Sequence, residues 1–174
     1  MSRKHIFFFG FAFVCVAALG FNFFLADCPT YMERLRIQGQ SMRGVFEEGD
    51  RIYFEMDPRH CLSLKQGDTV LVETGENHPP LSKQLVALPG DEVFIDDDTH
   101  CPRLRISGSG QDLSSAQCLA HSQAPGLRRD LARSRGIMPP DFFLVMGTSA
   151  TSFDSRAFGF VPRHHIRGRA TELR

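Results

Sequence analysis

The chain has 174 residues, and its 20 Lys and Arg balance its 20 Asp and Glu, so the formal net charge is zero. This balance argues against a dedicated nucleic-acid-binding protein, which would carry a basic excess. A hydrophobic content of 42% suffices for one packed domain, and the length leaves room for a membrane anchor beside it.

The N-terminal segment predicts a membrane anchor. Residues 1–5 are basic, and residues 6–25 are almost wholly apolar, with Asn22 as the polar interruption. A segment of this length can span a hydrocarbon core of about 30 Å as a helix, and the basic residues before it favour a cytoplasmic N-terminus. We therefore expect a single-pass protein of a bacterial inner membrane, with residues 28–174 as a periplasmic domain. A cleaved signal peptide is the alternative, but the residues before Cys28 lack the small side chains expected at a cleavage site.

The cysteines beyond the anchor predict disulfides, because the compartment is oxidising and their number is even. They are Cys28, Cys61, Cys101 and Cys118. Three pairings are open, and we favour Cys101–Cys118, which closes the shorter loop, with Cys28–Cys61 as its complement. Zinc is the alternative, since histidines lie beside some of these thiols. The usual metal-ligand spacings are missing, so we expect neither a metal nor a cofactor.

The region after the anchor is predicted to form short strands separated by turns. Apolar alternation and β-branched residues predict strands near 34–38, 51–56, 69–73, 81–88, 92–96, 142–146 and 165–170. Turn sequences such as Pro89-Gly90-Asp91 recur about every ten residues. This spacing is typical of a mainly β, barrel-like domain.

Residues 97–138 differ in character from their surroundings. They are rich in Ser, Gly, Gln and Arg and weak in periodicity, so we interpret them as an irregular cap insert held by Cys101–Cys118. Residues 125–135 are the exception, because a proline at the start and leucines one turn apart predict a short helix. Its arginines could contact anionic lipid headgroups, although a solvated helix face is the simpler interpretation.

Ser41 and Lys83 are the candidate catalytic pair. A serine hydroxyl needs a neighbouring base before it can act as a nucleophile. Period-two alternation places Lys83 on the same strand face as Leu81, Leu85 and Ala87, and burial on an apolar face lowers the pKa of an amine. A neutral Lys83 could take the proton of Ser41 and later return it to the leaving amine. The closeness of Ser41 to the bilayer suits a substrate that is itself held in the membrane.

Three stretches resemble, in their order and spacing, the signature boxes of the signal peptidase I family. They are Ser41-Met42 with Gly49-Asp50, then Lys83 with Leu88-Pro89-Gly90-Asp91, then Ser152-Phe153-Asp154-Ser155-Arg156 with Phe158-Gly159. The short cap and the anchor-plus-domain size look more like the TraF branch of that family, which acts in conjugative transfer. The resemblance covers residues 37–170 apart from the cap.

The resemblance implies a Ser/Lys dyad peptidase on a β-rich fold, with its active site at the outer face of the membrane. Ser41 would be the nucleophile, and its backbone N–H would stabilise the oxyanion. Lys83 would be the general base, and Ser152 would accept a hydrogen bond from its ammonium and orient it. Asp154 and Arg156 would form an ion pair that braces their loop.

Some positions depart from the family pattern. Arg43 follows Ser-Met where the family usually has proline. Gly39 stands where some members place a hydroxyl donor for the oxyanion, so that site must depend on backbone groups. Met42, beside the nucleophile, is expected to add to the apolar setting of Lys83. The loop from Gly147 reads Gly-Thr-Ser-Ala-Thr instead of Gly-Asp-Asn, which favours the TraF-like branch.

These implications together predict a membrane-anchored endopeptidase that matures a pilin precursor for the conjugative transfer machinery. Water could resolve the acyl-enzyme, or the pilin's own N-terminal amine could resolve it and cyclise the subunit. A general signal peptidase that cleaves secretory preproteins is one alternative, and a non-enzymatic, membrane-tethered assembly factor is another. The expected partners are the lipid bilayer, the pilin or preprotein substrate and the transfer machinery, with no nucleic acid.

Overall fold

The computed structural model describes residues 28–75, 79–97, 102–108, 113–114, 119 and 124–171. The predicted anchor at residues 6–25 lies outside these residues, and so do Cys101 and Cys118. Among the described residues, no helix combines the length and the apolar character that crossing a membrane requires.

A seven-stranded antiparallel sheet forms the main layer of the domain. Its strands are β1 (Tyr31–Arg36), β2 (Arg51–Met56), β3 (Thr69–Val72), β4 (Leu81–Ala87), β8 (Phe142–Met146), β9 (Val161–Pro162) and β10 (Ile166–Ala170). The strand order is β1-β2-β10-β3-β4-β8-β9, so the last strand of the chain lies between β2 and β3. The mainly β architecture predicted from the sequence is therefore confirmed.

The first strand begins earlier than its sequence pattern predicts. β1 pairs with β2 in register from Tyr31 opposite Met56 to Arg36 opposite Arg51. The ladder with β2 therefore sets both ends of β1, and the chain leaves the strand before Gly39.

The cap insert is not irregular throughout, which corrects the expectation from its composition. A second sheet joins β5 (Glu92–Asp96), β6 (Arg103–Ser107) and β7 (Leu113–Ser114) in that order. Leu104 and Ile106 alternate with exposed residues and pack into the core beside Val93, so the ordinary period-two pattern was present there. The predicted helix is present as α1 (Pro125–Ser134).

The start of the domain is tied to the loop that follows β2. Cys28 and Cys61 form a disulfide, as predicted for this pair. The carboxylate of Asp57 accepts hydrogen bonds from the backbone N–H groups of Cys61 (3.0 Å) and Leu62 (2.8 Å) and pairs with the guanidinium of Arg163. Because Asp57 is buried, these partners replace the hydration that it loses.

Candidate active site

Ser41 lies in a turn that begins just after β1. The backbone N–H of Ile37 donates to the oxygen of Asp50 (2.8 Å), and the N–H of Gly49 donates to the oxygen of Ile37 (2.9 Å). These bonds close the turn at its base. The side chain of Met42 is 2% exposed, so it anchors the turn in the core while Ser41 stays half-buried.

The amine of Lys83 meets the hydroxyl of Ser41. Lys83 Nζ donates a hydrogen bond to Ser41 Oγ at 2.8 Å. The lysine is 1% exposed on the inner face of β4, together with Leu85 and Ala87. Burial lowers the pKa of Lys83 from 10.5 to about 8; the charge of Asp154 opposes this change and that of Arg156 adds to it. At pH 7 roughly a tenth of such amines are neutral, against fewer than one in a thousand for a free lysine.

Asp154 and Arg156 form a buried ion pair behind this site. Arg156 Nη2 lies 2.6 Å from Asp154 Oδ2, and Arg156 Nε lies 2.8 Å from Asp154 Oδ1. Asp154 also accepts the backbone N–H of Gly147 (2.8 Å) and caps the short helix α2 (Ser155–Phe158). Arg156 donates to the backbone oxygens of Ser149 (2.8 Å) and Ala150 (3.3 Å). The pair thus holds the loop that begins at Gly147.

That loop contacts the backbone of the Ser41 turn directly. The N–H of Ser149 donates to the oxygen of Ser41 (3.3 Å), and the single hydroxyl hydrogen of Thr148 is directed at the oxygen of Arg43 (2.8 Å), with the oxygen of Ser41 also in reach (3.4 Å). A Cβ at Gly147 would lie 2.5 Å from the same Ser41 oxygen, so the close approach requires glycine. The sequence motifs do not indicate Thr148 and Ser149 as site residues, although their loop departs from the family pattern.

Two other positions singled out by the resemblance, Ser152 and Gly39, make no side-chain hydrogen bond to the dyad. The Oγ of Ser152 is buried and makes no hydrogen bond to any described residue, Lys83 included. Its role in orienting the lysine therefore stays a prediction. Gly39 has φ +82°, a conformation that favours glycine, and it offers no side-chain donor for an oxyanion.

A groove of about 240 Å³ opens beside Ser41. Its walls come from the end of β1 and the start of β4, with Leu35, Ile37, Gln38, Leu81 and Ser82 among the lining residues. β1 is an edge strand of the sheet as described, and in the described part of the chain residues 81–83 pair with β3 but not with β8, whose pairing begins at Gln84. Among the described residues, these two strand edges border the groove without a further strand paired to them, a setting in which an extended peptide can bind.

A β-rich domain that brings a buried lysine amine to a serine hydroxyl has the arrangement of a serine peptidase of the Ser/Lys type. The chain belongs to the signal peptidase family, peptidase S26, a family of serine peptidases whose model matches residues 4–173.

Individual relatives agree with this assignment. Signal peptidase I of Leptolyngbya laminosa is 30% identical over 164 residues, which cover 89% of this chain and 71% of the relative. Signal peptidase I of Bacillus licheniformis is 29% identical over 137 residues, 76% of this chain and 70% of the relative. The conjugal transfer protein TraF of Agrobacterium fabrum is 33% identical over 94 residues, 52% of this chain and 47% of that protein.

Proposed function

We propose that Ser41 and Lys83 form the catalytic dyad of a membrane-anchored endopeptidase. One observation carries the proposal: the Lys83 amine lies 2.8 Å from the Ser41 hydroxyl and has a pKa of about 8. Neutral Lys83 takes the Ser41 proton as Oγ bonds to the scissile carbonyl carbon. The lysine then gives that proton to the leaving amine, the peptide bond breaks, and an acyl-enzyme ester remains.

The oxyanion formed during this attack needs donors that are already in position. The backbone N–H of Ser41 is the proposed donor, and the rigid turn supports this role. Met42 anchors the turn from one side, and Thr148 and Ser149 hold the Ser41 carbonyl from the other. Donors fixed before the reaction stabilise developing charge without reorganising.

The substrate that we propose is a pilin precursor used in conjugative transfer. The TraF likeness, the short cap and the loop sequence from Gly147 support this choice. The acyl-enzyme has two possible fates. Water yields a linear product and free Ser41, whereas attack by the pilin's N-terminal amine yields a cyclic amide and free Ser41. Exclusion of water from the groove and positioning of the amine decide between them.

General cleavage of secretory preproteins is the second candidate function. It is favoured by the longer matches to signal peptidase I proteins, which cover 76% and 89% of the chain, against 52% for TraF. Membership of a peptidase family speaks against the third alternative, a non-enzymatic assembly factor. Under both peptidase proposals, residues 6–25 anchor the domain at the outer face of the inner membrane.

Co-expression with each class of substrate tests these proposals. A pilin precursor and a secretory preprotein are each expressed with the wild type, with Ser41→Ala and with Lys83→Ala, and the products are weighed by mass spectrometry. We expect cleavage by the wild type and none by either variant. A pilin product one water lighter than the linear cleaved chain identifies cyclisation. Processing that continues in Ser41→Ala rejects the dyad, and cleavage of the preprotein alone favours the general signal peptidase.

A further inference from the structure

A second cavity, of about 360 Å³, adjoins the groove beside Ser41. The two share Leu35, Leu71 and Pro80 in their walls, so they form one continuous depression. The second cavity then extends past the end of β2 and the end of β3. Its lining is more polar than that of the groove, and the catalytic proposal makes no use of it.

β1 forms one wall along the whole depression. Tyr31, Glu33 and Leu35 line the second cavity, and Leu35 and Ile37 line the groove. These alternate residues share one face of the strand. Glu33 lies four positions before Ile37, about 13 Å along an extended chain at about 3.3 Å per residue. An extended peptide with its scissile bond at Ser41 would therefore reach Glu33 with a side chain some four to six residues away.

The charges in this cavity favour a cation. The charged side chains in the described part of its wall are Glu33, Asp57, Glu73 and Arg167. Asp57 is already paired with Arg163, which approaches from outside the cavity wall, and Glu73 lies 3.3 Å from Arg167. Half-buried Glu33 forms no ion pair with any described residue. Counted over the described residues, one carboxylate is thus left without a matching positive charge.

A second polar group in the wall also lacks a partner. The Nδ1 atom of His60 is buried and forms no hydrogen bond within the part of the chain that the structure describes. His60 itself lines the cavity, in a backbone conformation of φ +56° that directs the chain through the turn after β2. Since Nδ1 has almost no exposed surface, a cation in the cavity can reach the ring only at Nε2, which accepts an N–H when the ring proton is on Nδ1.

We propose that this cavity is a substrate subsite for a lysine or arginine side chain placed four to six residues from the scissile bond. The substrate cation pairs with Glu33 and donates a hydrogen bond to the imidazole of His60. This inference rests on the proposed peptidase function and adds a charge preference to it. It selects substrates whose basic residue stands at one fixed distance from the cleavage site.

A lysine scan tests the subsite. The full-length protein in detergent is assayed with synthetic peptides that carry Ala-Leu-Ala before the scissile bond. A single lysine is placed in turn at each position from three to eight residues before or after the scissile bond. A second peptide set carries glutamine at the same positions as the neutral control. We expect KM to fall roughly threefold to tenfold at one register, with kcat unchanged, as for a partly screened ion pair. Glu33→Gln should lose this preference, and Glu33→Lys should prefer glutamate at the same register.

Glu92→Gln is the matched control, because Glu92 is an exposed strand glutamate outside the cavity. It should keep the lysine preference, and thermal unfolding should show that all variants are folded. Fluorescence anisotropy measures the binding of the same peptides to Ser41→Ala, which cannot cleave them. This measurement separates the subsite from catalysis. A lysine preference in binding without any cleavage by the wild type keeps the subsite and rejects the peptidase proposal. Equal affinity for lysine and glutamine at every register, or a preference that survives Glu33→Gln, overturns the subsite.

Discussion

Lys83 and Ser41 stand 42 positions apart in the chain, yet Lys83 Nζ and Ser41 Oγ lie 2.8 Å apart. Different segments of the chain position the two side chains. β4 carries the lysine on its buried face, the turn after β1 carries the serine, and the loop from Gly147 holds the serine's backbone. Three separate segments therefore have to pack correctly against one another before the proposed proton transfer can occur.

The pH dependence of cleavage should follow the ionisation of Lys83. The proposed base must be neutral, and burial lowers its pKa to about 8. We expect kcat/KM to fall about tenfold per pH unit below about pH 8 and to level off above it. The measurement is peptide cleavage by the full-length protein from pH 6 to pH 10. A profile that is flat across pH 8, or that falls as pH rises, contradicts the assignment.

Substitutions at Lys83 should show whether catalysis requires the positive charge of this side chain or its ability to take up a proton. Lys83→Arg keeps a positive charge, but a guanidinium cannot release its proton at usable pH, so we expect no detectable cleavage. Lys83→Met fills similar space without a charge and should be equally inactive. Because Lys83 is 1% exposed, Lys83→Met should unfold at the same temperature as the wild type or above it. Activity in Lys83→Arg would show that another group takes the proton.

Asp154→Asn should affect both the stability of the domain and the pKa of Lys83. Asp154 and Arg156 have side chains 0% and 4% exposed, so the substitution leaves a buried guanidinium without its carboxylate. We expect unfolding to become easier by about 3–5 kcal/mol, measured by urea denaturation. The charge of Asp154 raises the pKa of Lys83. Its removal should therefore move the midpoint of the pH profile to a lower pH in the folded fraction.

A matched substitution distinguishes this effect from general damage. Asp141→Asn removes an exposed carboxylate near β8 that has no part in the loop. It should leave both the stability and the pH midpoint as in the wild type. A midpoint that moves upward in Asp154→Asn, or does not move, would show that Asp154 has no electrostatic influence on the lysine.

Much of the main sheet could be predicted from the sequence, because local alternation determines which residues of a strand are buried. Residues 51–56 and 142–146 form the strands that were predicted for them, and the face of β4 that carries Lys83 is buried as expected. In the insert, a polar composition surrounds the short alternation of β6, so the sequence prediction did not include this strand. The position of β10 between β2 and β3 could not be read from the chain, because pairing between distant segments leaves no local pattern.

The candidate site shows the same division. The sequence motifs indicated Ser41, Lys83 and the Asp154–Arg156 pair, because their side chains have distinctive chemistry. Thr148 could not be found in this way, since its hydroxyl contacts backbone oxygens. Every residue carries a backbone oxygen, so a contact to one cannot be recognised from the residue types in the sequence.

Thr148→Val should slow catalysis while leaving peptide binding almost unchanged. Valine has nearly the shape of threonine but cannot donate to the oxygens of Arg43 and Ser41, which lie 2.8 Å and 3.4 Å from Thr148 Oγ1. Loss of a hydrogen bond worth about 1 kcal/mol should let the Ser41 turn shift, and we expect kcat to fall about fivefold. Steady-state kinetics on one peptide give kcat and KM separately. Thr148→Ser retains the hydroxyl and should recover most of the rate. If the serine variant is as slow as the valine variant, or if only KM changes, Thr148 does not position the nucleophile.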